Sequence, residues 1–291
     1  MRTAPDGIVV IDKPAGMTSH DVVSRMRRVC GTRAVGHAGT LDPMATGVLI
    51  IGVERATKLL GHLTLSEKTY DATIRLGVST TTEDAEGEVV AATSAAALTD
   101  EQIRSAALPF IGTISQRPSS VSAIKVDGVR SYARVRAGED VELPAREVTI
   151  HGFVVHDIRH HDDVIDVDVT VRCSAGTYIR AIARDLGDAL GVGGHLTALR
   201  RTAAGNYTIA DAIALPEADA QIEPTPLKAV LEREYHVVQL DAEQSKQVRH
   251  GIRIAASAAP HGLCGLLADD GSVVALSEAV DGVWKHAAVF G

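Results

Sequence analysis

One carboxylate, Asp42, stands in a stretch that reads Gly36-His-Ala-Gly39-Thr-Leu-Asp42-Pro43-Met-Ala-Thr-Gly47. A residue before proline is driven out of the helical region into extended geometry. Glycines on either side allow turns that a side chain would obstruct. Asp42 is therefore expected on a stiff, non-helical segment. The apolar run Val48–Ile51 behind it reads as a buried strand. A reactive group needs such a mounting, rigid beneath and open to substrate above. The plain alternative is an ordinary Asp-Pro turn between two elements.

A second candidate is Arg180, in Ser174-Ala-Gly-Thr-Tyr178-Ile179-Arg180. Ile179, Ile182, Leu186 and Leu190 form the buried stripe of a helix that begins there, so Arg180 opposes the helix dipole. That unfavourable placement points to an anionic partner. A third is Tyr70, on the strand Lys68–Leu76. Tyr70, Ala72, Ile74 and Leu76 alternate there with Thr69, Asp71, Thr73 and Arg75. A tyrosine on that apolar face is ordinarily core.

Three patterns mimic chemistry without its context. His160-His161-Asp162-Asp163 closes a hairpin between strands Val148–Val155 and Val164–Cys173, and adjacent loop residues seldom chelate one ion, so no metal site is expected. Asp166-Val-Asp168-Val-Thr170 matches an aspartyl phosphotransferase pattern. The alternation continues through Cys173, however, which makes it one polar strand face. Gly191-Val-Gly193-Gly194 follows a helix instead of opening one, so it is no dinucleotide loop.

The elements that must carry these residues can be read in order. Strand Gly7–Ile11 runs into a turn at Asp12–Gly16. A helix capped by Thr18 or Ser19 follows, with Val22, Met26 and Val29 on one face and Arg25 and Arg28 on the other, and Gly31 stops it. Residues 58–63 suggest a short helix. Thr82–Glu88 reads as an exposed acidic turn, and Thr99–Ala107 as a helix with a capping box at Gln102. Arg117–Arg146 is a basic insertion, with Arg130, Arg134 and Arg136 around Tyr132 and a hairpin turn at Asp127-Gly128. An acidic, proline-bearing shift over Asp211–Glu243 marks a domain boundary near 230. Beyond it, short strands at Ile252–Ala255, Gly265–Leu267, Val273–Leu276 and Ala287–Phe290 read as a small β-rich barrel.

The chain has 291 residues, so one large domain or two is the prior; hydrophobic residues are 45% and aromatics only 3%, so the core must be aliphatic. Cys30, Cys173 and Cys264 form no Cys-x-x-Cys pair, which fits a reducing compartment better than a disulfide framework or zinc site. No apolar leader or membrane-length run is present, so a soluble, cytoplasmic protein is expected. The net charge of -8 argues against nucleic acid until its distribution is considered. Segments 13–36, 117–146 and 172–201 together carry +9, leaving -17 on the remainder. An acidic protein can thus present a basic face to phosphates.

In this order the pieces resemble the bacterial tRNA pseudouridine synthases of the TruB type, which modify uridine-55 in the T loop. The matching stretches are 11–23, 36–48, Lys68-Thr-Tyr70, Gly176-Thr-Tyr-Ile-Arg180 and His195-Leu-Thr-Ala-Leu-Arg-Arg201. Arg117-Pro-Ser-Ser departs from relatives, which usually carry a second proline and an aromatic there.

The resemblance implies an α+β fold. A mixed sheet would form the catalytic domain over residues 1–230, around an RNA-binding cleft, with a PUA-like RNA-binding module at 231–291. It implies an intramolecular isomerase that breaks N1–C1′, turns the uracil and joins C5 to C1′, without cofactor or metal. Asp42 would trap the anomeric carbon or stabilise a glycal. Arg180 would pair with Asp42 and hold it ionised. Tyr70 would stack on the base, with its hydroxyl a candidate for assisting C5 proton removal. His37, Tyr178 and Leu199 would line the uridine pocket. Lys13, His20, Arg200 and Arg201 would meet phosphates of the tRNA T arm. The target base must be flipped out of its stack, and a monomer without protein partner would suffice. Two other readings stay open: a non-catalytic RNA-binding and folding protein, and a glycosidase on free nucleosides.

Overall fold

The structure is a computed structural model. It describes residues 6–119, 143–256 and 260–290, and the backbone of 125–126 and 129–130. The Asp127-Gly128 turn, Tyr132, Arg134 and Arg136 lie outside the described residues. The strands flanking that turn, Lys125–Val126 and Val129–Arg130, pair antiparallel.

An 11-stranded mixed sheet organises the chain. Its main path runs Ile213–Ala214, Gly7–Lys13, Thr46–Val53, Gly194–Ala204, Lys68–Leu76, Ile165–Cys173, Arg146–His160 and Gly112–Gln116. Pairing is antiparallel along most of this path. Thr46–Val53 meets Gly194–Ala204 in parallel, through Arg200 opposite Thr46 and Arg201 opposite Gly47. Val35–Ala38 also pairs with Thr46–Val53, and the Asp42 loop connects the two. The α+β class with a mixed sheet is as the sequence implied.

The sheet has two kinds of ends, and residue pattern explains both. Gly7–Lys13 and Thr46–Val53 are apolar on both faces. Val9, Ile11, Leu49 and Ile51 enter one core, and Ile8, Val10, Val48 and Ile50 enter another. At the other end one face is apolar, with Tyr70, Ala72 and Ile74 opposed by Val167, Val169 and Val171. The opposite face is polar, and cross-strand partners meet in register. Arg75 holds Asp166 with two bonds of 2.8 and 2.7 Å, Thr73 donates to Asp168 at 2.7 Å, and Thr170 to Asp71 at 2.7 Å. Asp166 and Asp168 are thus structural.

Helices cover the first core. Ser19–Cys30 is capped by Thr18, whose capping box with Asp21 leaves the Ser19 hydroxyl free for another use. Ile179–Ala189 lays Ile179, Ile182 and Leu186 against the sheet.

The C-terminal part differs from the expected barrel of strands. It is a 4-stranded sheet, in which His236–Leu240 runs parallel to Leu263–Ala268, followed by Val273–Val280 and Val283–Val289. Ala242–Arg249 is a helix capped by Asp241 and Gln244, a sequence signal that the alternation of apolar residues obscured. The expected strand at Ile252–Ala255 shrinks to one bridge, Ala255 to Val283. This sheet has a small core around Val248, Leu266 and Trp284. It also shares a core with the large sheet, where Leu227, Leu276 and Phe290 pack with Ile50 and Leu59. Arg55 and Lys58 bond the carbonyls of Phe290 and Val289.

Bonds from Arg75 are the main reason the Asp166 carboxyl is held below its ordinary value. A depressed carboxylate adds stability that is complete above its unfolded value of about 4 and is lost as pH falls through its folded value. Arg75→Met should therefore cost about 1 kcal/mol at pH 7, and the gap from wild type should close below about pH 4. Urea midpoints at the two pH values check this; an equal gap at both would remove the account.

Candidate active site

Asp42 sits where the backbone is held from several sides. The Ser19 hydroxyl accepts from Leu41 N–H at 2.9 Å and donates to the Leu41 carbonyl at 3.1 Å. The Lys13 ammonium donates to the carbonyls of Pro14, Met17 and Pro43. Gly16 N–H donates to that same Pro43 oxygen at 2.9 Å. Arg201 donates to the carbonyls of Val48 at 2.7 Å and Gly39 at 2.9 Å. Where the loop rejoins the sheet, Gly47 has φ 101° and a Cβ there would lie 2.2 Å from the Arg201 carbonyl. Only glycine allows that approach.

Lys13 and Arg201 correct the expectation of phosphate contact. Both side chains are buried, Lys13 at 0% and Arg201 at 1% exposure. They are spent on carbonyls that would otherwise be orphaned within the fold. Arg200, half-buried, is paired bidentately with Asp12 at 3.0 and 2.7 Å. His20 is exposed and stands edge-on to His37, with ring centroids 5.4 Å apart. On the basic helix face, Arg25 is tied to Glu217 at 3.0 Å, whereas Arg28 is exposed.

Arg180 is the centre of the site's electrostatics. Its side chain is 3% exposed, yet that of Asp42 is 35% exposed. Nε donates to Asp42 Oδ2 at 2.9 Å and Nη2 to Oδ1 at 3.2 Å. Nη1 donates to the Thr82 carbonyl and to Ser119 Oγ, both at 2.9 Å. Asp84 Oδ2 lies 3.7 Å from Nε. A planar guanidinium satisfies these directions at once, whereas a lysine ammonium could not. The acidic composition of Thr82–Glu88 predicts an exposed turn. Its first half instead packs onto this arginine, and Asp84 is buried.

A cavity of about 240 Å³ opens beside the pair, lined by Asp42, Lys68, Tyr70, Tyr178, Leu199 and Arg201 among others. Asp42, Arg180, Tyr70, Tyr178 and Leu199 are thus brought together. His37 is not in that lining. Burial pushes the Tyr70 phenol up, with Arg201 opposing, so the hydroxyl stays protonated at neutral pH. This disfavours Tyr70 as a phenolate base for the C5 proton. Lys68 contributes an amine that the sequence left without a role. Burial is the chief reason its pKa is pushed down to about 8, and it bonds the carbonyls of Thr64 and Ser66.

The site is a supported carboxylate clamped by a buried arginine, with an aromatic and an aliphatic wall. That arrangement suits a planar base beside an anomeric carbon. Among the described residues no group of three or more His, Cys, Asp or Glu could hold a metal ion.

The sequence matches the family model of the TruB family pseudouridylate synthase N-terminal domain over residues 27–179. It matches the tRNA pseudouridylate synthase B C-terminal domain over 180–232. The tRNA pseudouridine synthase B of Thermobifida fusca is 53% identical over 289 residues, covering 98% of each chain. That of an Arthrobacter species is also 53% identical, covering 98% of this chain and 96% of the other. Among solved structures, the archaeal box H/ACA sRNP Nop10–Cbf5 complex aligns with TM-score 0.70 at 22% identity, covering 99% of this chain and 87% of that one. At that identity the likeness speaks for the fold alone. Full-length identity of this degree, joined to two consecutive family domains and an Asp42–Arg180 clamp within them, makes the chain a member of the TruB family of pseudouridylate synthases.

Proposed function

We propose that the chain isomerises uridine-55 in the T loop of tRNA to pseudouridine, with Asp42 as the catalytic carboxylate. The observation that carries this is the bidentate Arg180–Asp42 pair at the edge of a cavity walled by Tyr70, Tyr178 and Leu199. Each Asp42 oxygen accepts one N–H from Arg180 and keeps a further lone pair. That lone pair can take the anomeric carbon as N1 departs, or receive a proton if a glycal forms. Tyr70, neutral and rigid, offers a face for the base while it turns. Asp42 is the one acid in the described lining, which speaks against a glycosidase built on paired carboxylates.

The flipped base requires a protein that grips the surrounding RNA. Residues 117–146, together with exposed cations such as Arg28, are assigned that grip. The C-terminal segment 231–291 is assigned a PUA-like RNA-binding role beside the catalytic part at 1–230. The reading carries with it a monomer acting on tRNA in the cytoplasm. No helix among the described residues is long and apolar enough to cross a membrane.

The test uses unmodified tRNA carrying tritium at uridine C5. Wild type should release tritium from one T-loop position, and Asp42→Asn should release none while still binding tRNA. Binding without release by the wild type would favour the RNA-folding reading, and free uracil would favour a glycosidase. Arg180→Lys keeps the charge but loses the two-pronged grip, and should slow release about 100-fold. Lys13→Met leaves buried carbonyls without donors, each worth about 1–3 kcal/mol. It should lower stability and activity without changing the salt dependence of tRNA binding. A phosphate contact would instead reduce that slope by about 1.

A further inference from the structure

Four described residues at the two ends of the 117–146 insertion are bonded to the Ile179–Ala189 helix and the turn that leads into it. Gln116 and Arg146 face one another across the antiparallel pair that forms the insertion's neck. Gln116 is fully buried, and its amide closes a two-bond clamp on the backbone of Tyr178. Nε2 donates to the Tyr178 carbonyl at 3.0 Å, and Oε1 accepts from Tyr178 N–H at 2.9 Å. Tyr178 is the N-cap of that helix and makes no side-chain cap bond of its own. Arg146 lies over the Tyr178 ring, its guanidinium carbon 5.0 Å from the centroid, and donates to the Gly176 carbonyl. Ser119 accepts from Arg180 Nη1 at 2.9 Å, and the Arg117 carbonyl accepts from Arg184 at 2.8 Å. Arg184 is in turn braced by Glu83 at 2.6 Å.

The result is a direct mechanical link. The peptide that carries Tyr178 and Arg180, both lining the cavity, is held by the neck at a helix start that has no side-chain cap of its own. We propose that Gln116 and Arg146 are positioning residues for the reaction: the neck of the insertion holds Tyr178 and Arg180 in working geometry, so RNA engaged by the insertion acts on the catalytic pair through these bonds. This rests on the isomerase reading given above. It differs from a simple grip, in which the insertion would contribute affinity alone. Geometry of this kind is felt in rate, because displacement of a reacting group by about 1 Å costs about 100-fold.

The experiment measures single-turnover tritium release at saturating tRNA, and tRNA dissociation constants by filter binding, for wild type, Gln116→Met and Arg146→Lys. Gln116→Met fills the same space without either bond. Arg146→Lys keeps the charge and loses the flat face and fork. Both should slow release at saturation by about tenfold or more and leave the dissociation constant within about threefold of wild type. Hydrogen exchange should quicken in peptides covering 176–182 in Gln116→Met, a readout independent of activity, with melting temperature reported beside it. Wild-type rate at saturation, with or without weaker binding, overturns the proposal, since the neck would then supply grip alone. Unchanged exchange at 176–182 also overturns it. Should the wild type release no tritium, the isomerase reading fails first, and that control separates the two failures.

Discussion

A guanidinium removed from water must be met on every side, and the site is built around that requirement. Arg180 is almost wholly buried, and its N–H groups reach Asp42, the Thr82 carbonyl and Ser119, with Asp84 nearby. A buried ion pair is costly to desolvate and contributes net stability only when its remaining donors are also satisfied. Here the surplus acceptors come from two separate regions of the chain, Thr82–Asp84 and Ser119. Their convergence orients the arginine, and the arginine orients Asp42. The carboxylate itself keeps a face toward solvent, as a group that must meet a substrate has to.

Below that pair the support is unusual in its use of charge. Lys13 and Arg201 reach inward to carbonyls of the loop instead of outward to solvent. Burial pushes the Lys13 pKa down to about 8, with Asp42 the largest opposing influence. The loop therefore owes its shape to cations as much as to its own glycines and proline. Rigidity at the reacting carboxylate comes from donors supplied by two strands, through Lys13 and Arg201, two helices, through Ser19 and Arg180, and the turn at Gly16.

The sequence made some of this legible. Alternation located Tyr70 and identified Asp166 and Asp168 as a polar strand face, because period-two patterning is a local property. Asp42-Pro43 and its glycines declared a stiff loop for the same reason. The helix start at Arg180 announced a missing anion, and Asp42 is its partner. The inward course of Lys13 and Arg201 is not legible, because a cation's destination depends on which carbonyls converge on it from distant strands. Thr82–Glu88 looked exposed by composition, yet Asp84 is buried against an arginine some hundred positions away. Gln116 gave no signal: a lone glutamine has no periodicity, and its amide acquires meaning only once Tyr178 is beside it. The helix at 242–249 carries few apolar residues to set a period, although Asp241 and Gln244 spell out its start.

Gly47 illustrates what a motif can and cannot certify. Its lack of a side chain is demanded by the Arg201 backbone, at a crossing of strands that would be required whether or not any uridine ever entered the cavity. A descendant chain that had lost Asp42 would still be under the same steric prohibition at 47. Glycines in this stretch are thus witnesses to ancestry and architecture, whereas the testimony about chemistry belongs to the carboxylate and its arginine alone. A relative that keeps the glycines and lacks that pair would be a fold retained for another purpose, such as handling RNA without altering it.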